Sequence, residues 1–473
     1  MMKRVFLSAV AIVMAIVGRA GSPGQVFGFF YEGSTLNYRI LSDTTCEVYN
    51  VYYVDGPVVI PSYVNYFSDE YEVVSLGDNS LSRNVGYYPN NITSVEIPST
   101  VQTIGKEAFY QCRSLNTVYL GDCVKSIGDL AFANCEDLTW IEIPNSVVSI
   151  GGGCFLGCKQ LTQVDLGESL SSIGGSAFRS CRRLERINVD SKNETFKSVN
   201  GILFKKDGSE ICAYPAGKSA TTYKVPADVK RIGHDAFIDC EKLTAIVLPE
   251  ALTSIGVSAF LDCKGLRKMT LPNSVKTIEN NAFKGCMALD SILFPKSLVT
   301  IGDYAFSECE ELETVIIPNS VQEIGMRAFS YCRGLKSVTL GQSLKSVPED
   351  AFAGCSNIRE VKYAAIDPVA APNSYYENLF DKEVYNEAVL YVPRVAVEKA
   401  AKTSPWCLFK KIEGYDFTDA DFGGVDDVIA DVAGGPTEVY NLNGVRVGSS
   451  TEGLAKGLYI VRRGSTVKKV AVK

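Results

Sequence analysis

The chain has 473 residues, a length that suits roughly three domains. Hydrophobic residues make up 46% of it and charged residues 21%, so the composition excludes an intrinsically disordered chain. The net charge is −7, with both signs mixed along the sequence. That balance argues against the clustered basic face by which proteins bind nucleic acid, and we expect no nucleic-acid partner.

The N-terminus has the three parts of a secretory signal peptide. Lys3 and Arg4 precede the apolar run 5-VFLSAVAIVMAIV-17, and small residues in 18-GRA-20 form a cleavage site. This pattern predicts a signal peptide over residues 1–20. Later segments do not reach 18 unbroken apolar residues, so we expect no transmembrane segment after cleavage.

Residues 21–90 carry short aromatic and β-branched runs. They include 48-VYNVYYV-54 and 57-PVVIPSYV-64, followed by 71-YEVVSLGDNSL-81, which looks like a first, degenerate coil of a repeat. Such runs are typical of strands. We therefore predict an N-terminal β cap and a degenerate first coil over residues 21–90.

A pattern of 23 residues dominates the middle of the chain. It reads Ile-Gly-x-x-Ala-Phe-x-x-Cys-x-x-Leu and recurs in two blocks, residues 91–190 and residues 231–363. A fixed period of this length is the signature of a repeat architecture. The phenylalanine is present in every copy: Phe109, Phe132, Phe155, Phe178, Phe237, Phe260, Phe283, Phe306, Phe329 and Phe352.

Each copy predicts one coil of a solenoid. Its Leu-x-x-Val-x-Leu stretch alternates as a half-buried strand does, and Pro or Gly then ends it. The Ala-Phe-x-x-Cys stretch suits a single helical or 3₁₀ turn. Because one coil cannot bury its own apolar face, we predict a repeat solenoid with a parallel sheet on one side and capped ends.

This pattern resembles the BspA-like leucine-rich repeats of surface proteins from Bacteroidetes and some mucosal parasites. The resemblance covers roughly residues 70–363 and rests on the ten copies of the motif. It implies a leucine-rich-repeat fold. It also implies a role in adhesion to host matrix proteins and to other bacteria.

The two repeat blocks are separated by an insertion over residues 191–230. It contains 201-GILFKKDGSEICAYP-215, in which two apolar-rich runs flank Asp207-Gly208. An Asp-Gly pair between such runs is a strong signal of a two-residue hairpin. We predict a β-hairpin together with one degenerate repeat.

Residues 364–415 follow the second block and predict a C-terminal cap. They carry 388-AVLYVPRVAVEKAA-401 and 405-PWCLFKKI-412, which suit a strand, a short helix and a final strand. Residues 416–435 are acidic and rich in glycine, and we interpret them as a linker.

Residues 436–473 predict a small all-β domain. The segments 438-EVYNLNGVRV-447 and 453-GLAKGLYIVRRGSTVKKVAVK-473 alternate like short strands. They resemble the C-terminal sorting domain of the type IX secretion system of Bacteroidetes. This resemblance implies a chain that crosses the outer membrane and is then secreted or held at the cell surface.

Candidate catalytic residues are few. His234 is the single histidine, and other copies place Lys106, Asp129 or Val257 at its position. A Ser/His/Asp or Cys/His arrangement and a His-containing zinc site therefore lack support. Acidic residues such as Glu308 occupy variable coil positions, where a solvated face explains them. We predict a protein that is not an enzyme and holds no metal or cofactor.

The cysteines that recur every 23 residues in the motif, which we call the cysteine column, have three possible explanations. A zinc site needs ligands that converge at short spacings, which cysteines 23 residues apart do not provide. Disulfides between adjacent coils are an alternative, since the coil spacing falls within the allowed range, but stacked side chains point the same way. We favour a column of reduced, buried thiols, because free cysteine packs as a small hydrophobe.

Two outward columns of the strands are the candidate binding surface. They are mostly polar, but Tyr119 with Trp140 and Leu293 with Ile316 break that rule on neighbouring coils. Large amphipathic rings make good anchors for a sugar ring or a protein loop, so we predict these four residues as ligand-binding. The alternative is that they are ordinary apolar surface residues.

The sequence thus supports two classes of function. One is a monomeric adhesin or recognition module whose outward sheet face binds host matrix proteins, surface proteins of other cells, or glycans. The other is a structural or scaffolding component of the bacterial cell envelope without a host ligand. Fold alone does not decide between them.

Overall fold

A computed structural model describes residues 22–31, 34–51, 54–83, 91–346, 348, 350–370, 379–422, 437–441, 446–448, 457–463 and 466–472. The predicted signal peptide lies outside these residues, as does most of the predicted linker. The chain divides into two compact units. The first comprises Met1–Ser219 with Gly233–Cys240, and the second comprises Ala220–Ile232 with Glu241–Lys473.

The first unit is built almost wholly from short strands. They are β1 (Val26–Tyr31), β2 (Ser34–Ile40), β3 (Thr45–Val51), β4 (Asp55–Val59), β5 (Tyr63–Tyr66), β6 (Asp69–Leu76), β7 (Asn91–Glu96), β8 (Thr103–Ile104), β9 (Thr117–Tyr119), β10 (Ser126–Ile127), β11 (Trp140–Ile143), β12 (Ser149–Ile150), β13 (Gln163–Leu166), β14 (Ser172–Ile173), β15 (Arg186–Val189), β16 (Phe196–Val199), β17 (Ile202–Lys205) and β18 (Glu210–Ala213).

The N-terminal strands close one end of the first unit. Strands β1, β2 and β3 pair antiparallel, and β3 then pairs parallel with β6. Strand β6 in turn pairs parallel with β8, the first short strand of the repeats. The rings of Phe27, Tyr38 and Tyr71 are buried between these strands. The segment therefore continues the coil ladder while covering its apolar end.

The coils of the first unit stack in register, as the 23-residue period requires. Trp140 pairs with Gln163, and Gln163 pairs with Arg186, in the parallel ladder β11-β13-β15. The predicted leucine-rich-repeat solenoid with its parallel sheet is thus confirmed. The structure adds a second parallel ladder, β8-β10-β12-β14, on which Ile127 pairs with Ile150.

The Ala-Phe-x-x-Cys stretch is a run of turns and not a helix. The N–H groups of Tyr110 and Cys112 donate to carbonyls three residues earlier, whereas the N–H of Phe109 donates to Ala131 of the next coil, 2.7 Å away. Leu130 holds a positive φ of 56°, a conformation that bulky residues rarely adopt. Alternate bonding within and between coils therefore sets the backbone here.

The phenylalanines form a continuous stack through the coils of the first unit. Successive rings of Phe109, Phe132, Phe155 and Phe178 lie 5.0, 5.8 and 5.9 Å apart between centroids and are parallel to within 5°. Burying one such side chain contributes about 1.5–3 kcal/mol. The stack is thus a continuous apolar contact between neighbouring coils.

The column cysteines are buried free thiols, as predicted. Within a block, Sγ donates to the carbonyl oxygen of the phenylalanine in the preceding coil, as Cys135 does to Phe109 at 3.3 Å and Cys158 to Phe132 at 3.1 Å. A thiol is a small hydrophobe with a weak donor. It therefore fills the column and gives a buried carbonyl a partner.

Residues of the predicted insertion form an antiparallel meander. Strands β16 and β17 pair antiparallel, and β17 pairs antiparallel with β18 around Asp207-Gly208. Gly208 has a φ of +81°, which an Asp-Gly turn supplies without steric cost. The sequence signal for a hairpin and the observed strands agree at this point.

The second unit repeats the coil architecture and adds three short helical segments and two α-helices. Its elements are β19 (Thr222–Lys224), β20 (Arg231–Ile232), β21 (Ala245–Val247), β22 (Ser254–Ile255), β23 (Lys268–Thr270), β24 (Thr277–Ile278), β25 (Ser291–Leu293), β26 (Thr300–Ile301), β27 (Thr314–Ile316), β28 (Glu323–Ile324), β29 (Ser337–Leu340), β30 (Glu360–Tyr363), α1 (Lys382–Glu387), β31 (Val389–Pro393), a 3₁₀ turn (Arg394–Ala396), α2 (Val397–Ala400), a 3₁₀ turn (Trp406–Leu408), β32 (Lys411–Tyr415), a 3₁₀ turn (Asp419–Phe422), β33 (Thr437–Asn441), β34 (Arg446–Gly448), β35 (Gly457–Arg463) and β36 (Thr466–Val472).

The coils of the second unit also form two parallel ladders. The longer strands form the runs β19-β21-β23-β25 and β27-β29-β30. The shorter strands, which contain the Ile pairs, form the ladder β20-β22-β24-β26-β28. Ring centroids of Phe260, Phe283, Phe306 and Phe329 are 4.9 to 5.2 Å apart. The thiol of Cys309 donates to the carbonyl of Phe283 at 3.4 Å. The same contacts therefore build both units.

The far end of the second unit is closed by strands and one buried tryptophan. Strands β31 and β32 extend the ladder of β30 in parallel. Trp406 is fully buried and stacks on Tyr363 at 4.4 Å. In the C-terminal segment, β34-β33-β35-β36 is an antiparallel sheet, which is compatible with the predicted small all-β domain.

Thiol titration tests the cysteine column. At pH 8, native protein should react rapidly at the exposed Cys123 and Cys407 only. Burial raises the pKa of the Cys112 thiol to about 12 and that of Cys135 well above its usual value, so the reactive thiolate is scarce in the column. In denaturant without reductant all fifteen cysteines should react. A count well below fifteen in denaturant would show that disulfides form.

Candidate functional site

The long strands of the first unit present two columns of side chains to solvent. Alternation along each strand turns Val118, Ile141 and Val164 into the core, where they are buried. The residues on either side of each then face outward. We call this surface the outward face; its residues in the first unit are Thr117, Tyr119, Trp140, Glu142, Gln163, Asp165, Arg186 and Asn188.

Trp140 is held in place by a hydrogen-bonded carboxylate. Its indole N–H donates to Oδ2 of Asp165, with 2.6 Å between the heavy atoms. The same carboxylate accepts from the side-chain amides of Gln163, at 2.7 and 2.9 Å, and Asn188, at 2.6 Å. Asp165 lies on the next coil, so the indole leans across the strand gap. Since its N–H is satisfied, Trp140 is an oriented ring, and 38% of it remains exposed.

Tyr119 lies one coil before Trp140 and two residues further along its strand. Strands β9 and β11 are neighbours, so the structure places the two rings on adjacent coils but diagonally. Tyr119 is 59% exposed, and the residue paired with it on the preceding strand is Glu96. The predicted pair is therefore part of one continuous surface, on which both rings are open to solvent.

The two rings stand among carboxylates. Glu96 pairs with Tyr119 in the ladder, and the exposed Glu142 pairs with Asp165. We define the aromatic-acidic patch as Glu96, Tyr119, Trp140, Glu142 and Asp165. These three carboxylates are spread over the successive strands β7 to β13, and a surface of one sign attracts cations and disfavours anionic ligands.

Sequence analysis missed Gln163, Asn188 and Asp165 as supports of Trp140. All three lie in the outward columns that the sequence defines, so the sequence predicts that they lie near Trp140. Which of them accepts the indole N–H depends on side-chain rotamers across two coils. The repeat pattern does not encode that choice.

The second predicted pair belongs to the second unit. Leu293 is 42% exposed and Ile316 is half-buried, on the adjacent strands β25 and β27. Their ladder neighbours are Thr270 and Thr339. This small apolar patch carries no charge and differs in chemistry from the aromatic-acidic patch.

The described residues offer little else for catalysis or anchoring. His234 is exposed on a coil turn. Across the described ranges, groups of three or more His, Cys, Asp or Glu side chains arranged to hold a metal ion are not found. In the same part of the chain, the helices are all too short or too polar to cross a membrane.

Comparison with protein families identifies the repeats. Residues 79–205 and 230–359, together more than half of the chain, match the model of the "BspA type Leucine rich repeat region" in six copies. Among curated proteins, none matches this chain.

Solved structures share the fold. The pneumococcal vaccine antigen PcpA is 20% identical, with a TM-score of 0.60, over 84% of this chain and 100% of that one. A leucine-rich repeat protein from Eubacterium ventriosum is 24% identical, with a TM-score of 0.56, over 74% of this chain and 92% of that one. A leucine-rich cell surface protein from Faecalibacterium prausnitzii is 26% identical, with a TM-score of 0.45, over 71% and 94%.

Tryptophan fluorescence tests the support of Trp140. In Asp165→Ala the indole loses its acceptor, so the ring should gain local motion and the emission anisotropy should fall. Trp406, the other tryptophan, is fully buried and gives a constant background. Glu142→Ala, which removes the exposed carboxylate paired with Asp165, is the control and should leave the anisotropy unchanged. Equal anisotropy in Asp165→Ala and the parent protein would contradict the geometry.

Proposed function

Because this chain belongs to the BspA-type leucine-rich repeat family, we propose that it is a surface recognition protein. It binds its ligand through the aromatic-acidic patch on the outward face of the first unit. The proposal assigns it no catalytic step and no cofactor. It acts as a monomer in which the coils are a rigid support for exposed side chains.

The fixed indole of Trp140 carries this proposal. Asp165 holds the ring through its N–H, so the exposed faces are oriented before any ligand arrives. Binding through a preorganised side chain avoids much of the entropy cost of ordering that side chain. Trp and Tyr are also the residues that most often dominate binding interfaces. Tyr119, 59% exposed, supplies the second ring.

The charge of the patch favours a basic ligand. Glu96, Glu142 and Asp165 surround two rings, and a Lys or Arg side chain can lie over a ring while pairing with a carboxylate. Sialylated and sulfated glycans would meet repulsion at the same place. The ligand that fits best is a basic loop of a host matrix protein or of a protein on another cell.

The proposed location is the outside of the cell. The predicted signal peptide, residues 1–20, directs export. The C-terminal strands β33–β36 lie in the segment that resembles a type IX sorting domain, which supports passage across the outer membrane and release or retention at the surface. A recognition function needs this exposure, so location and function support each other.

A binding assay with the mature chain, residues 21–473, tests the proposal. Immobilised fibronectin, fibrinogen and mucin serve as ligands. Tyr119→Ala combined with Trp140→Ala should weaken binding at least about tenfold, since buried aromatic anchors are each worth about 2 kcal/mol or more. Binding should also weaken as salt rises, because charges contribute.

Leu293→Ser combined with Ile316→Ser is the matched control, since it alters an outward pair of the second unit. It should leave binding unchanged. Unchanged binding in the Tyr119 and Trp140 variant would contradict the proposed site. If the chain bound neither the matrix proteins nor a glycan array, that result would favour the scaffolding alternative.

A further inference from the structure

A cavity lies beside the antiparallel meander of the first unit. Its volume is about 320 Å³. It opens where the coil of Phe178 meets strands β16–β18. The larger apolar side chains of its wall include Phe178, Leu184, Ile187, Phe196, Leu203 and Tyr214.

A shortened coil creates this space. In an ordinary coil the phenylalanine follows the isoleucine by five residues, as Phe109 follows Ile104. Tyr214 takes the place of that phenylalanine, because its N–H donates to Ala236 at 2.6 Å and its carbonyl accepts the Cys240 thiol at 3.6 Å. Yet Tyr214 follows Ile211 by only three residues. This coil therefore lacks two residues of the turn, and the cavity occupies the space that those residues fill in an ordinary coil.

Two aspartates span the gap. In ordinary coils the N–H at the position of Ser176 donates to a carbonyl of the next coil, as Glu107 does to Asp129. Here Oδ2 of Asp235 accepts the Ser176 N–H at 2.7 Å and its hydroxyl at 3.2 Å.

The second aspartate repeats this arrangement. Oδ2 of Asp239 accepts the Ser180 N–H at 2.7 Å, and Asp239 is only 5% exposed. The carboxylates thus replace the absent peptide carbonyls. Because these two backbone donors along the gap are satisfied, the cavity is supported at both positions.

The wall shows what the cavity can hold. Phe178 is the one phenylalanine of the column that is only partly buried, so a core ring faces the open space. Phe196 also lines the cavity, and Nζ of Lys205 lies 4.6 Å from the centre of its ring. Where these rings form the wall, a charged group would lose water without gaining a partner, which is costly.

The size of the cavity limits the ligand further. A cavity of about 150 Å³ lined by Leu, Ile and Phe stays dry and binds benzene. A cavity of about 320 Å³ has room for one or two aromatic rings. Lys205, Glu210 and Asp235 are the Lys, Glu and Asp side chains of its wall. Two carboxylates against one ammonium group disfavour an anionic ligand.

We propose that this cavity is a binding site for an uncharged aromatic molecule of one or two rings. The rings pack against Phe178, Phe196 and Tyr214, and a small polar substituent points to the mouth beside Lys205 and Glu210. The site is separate from the aromatic-acidic patch. It follows from the two-residue shortening and the aspartates that support it.

Ligand-observed saturation-transfer NMR on the mature chain tests this site with indole as the probe. Indole should show saturable transfer, and indole-3-acetate, its charged relative, should bind at least about tenfold more weakly because its carboxylate must leave water. Equal binding of the two compounds, or no saturable transfer from indole, would overturn the proposal.

Two variants locate the binding. Gly175 lines the cavity, and a Cβ added there would lie 3.5 Å from Oδ2 of Asp235 with no closer neighbour, so Gly175→Leu should fold and fill the mouth. Ala213→Leu fills the space from the wall. Both should reduce the affinity for indole at least about tenfold.

Gly152→Leu is the matched control. Gly152 has the same coil position 23 residues earlier, an equally open Cβ site with its nearest neighbour at 3.5 Å, and no place in the cavity wall. It should bind indole like the parent protein. Thermal melts followed by circular dichroism confirm that each variant is folded. Retained indole binding in folded Gly175→Leu and Ala213→Leu would overturn the proposal.

Discussion

The stacking of one buried phenylalanine on the next is the contact on which the rest of each unit depends. Rings such as Phe109 and Phe132 lie parallel with centroids 5.0 Å apart, and the carbonyl of each accepts a thiol from the following coil. This contact sets both spacing and register. Because every strand then repeats at a fixed offset, the outward residues are placed by the same contact that builds the core. The outward position of Trp140 is therefore a consequence of how the coils stack.

Much of the fold follows from sequence because the period is strict. The phenylalanine column, the buried cysteines and the alternation around Val118 and Ile141 are all readable without coordinates. The sequence left the Ala-Phe-x-x-Cys stretch open between a helical and a 3₁₀ turn, and the observed bonds reach carbonyls three residues earlier, as in a 3₁₀ turn. Positive φ values at Leu130 and Tyr304 contradict local propensity. Hydrogen bonds to the next coil impose them, and such bonds cannot be read from one coil alone.

The candidate site, too, is predicted from the sequence only in part. Alternation predicts that Tyr119 and Trp140 face outward, and both are exposed. The support that Asp165 gives to the indole depends on rotamers and on a neighbouring coil, so sequence could not supply it. The cavity has a sequence signature, the three-residue step from Ile211 to Tyr214. This signature can be recognised only when the hydrogen bonds show that Tyr214 occupies the phenylalanine position of its coil.

Removal of one coil measures most directly whether the stack sets the register. Deleting residues 128–150 joins Ile127 to Gly151, keeps the Ile-Gly step and brings Phe155 onto Phe109. This 23-residue deletion should retain the unfolding transition of the parent protein, because each coil contacts only its neighbours. Deleting residues 128–149 leaves one residue too many and should abolish that transition. If the two deletions behaved alike in thermal unfolding, the stacked column would not be what holds the coils in register.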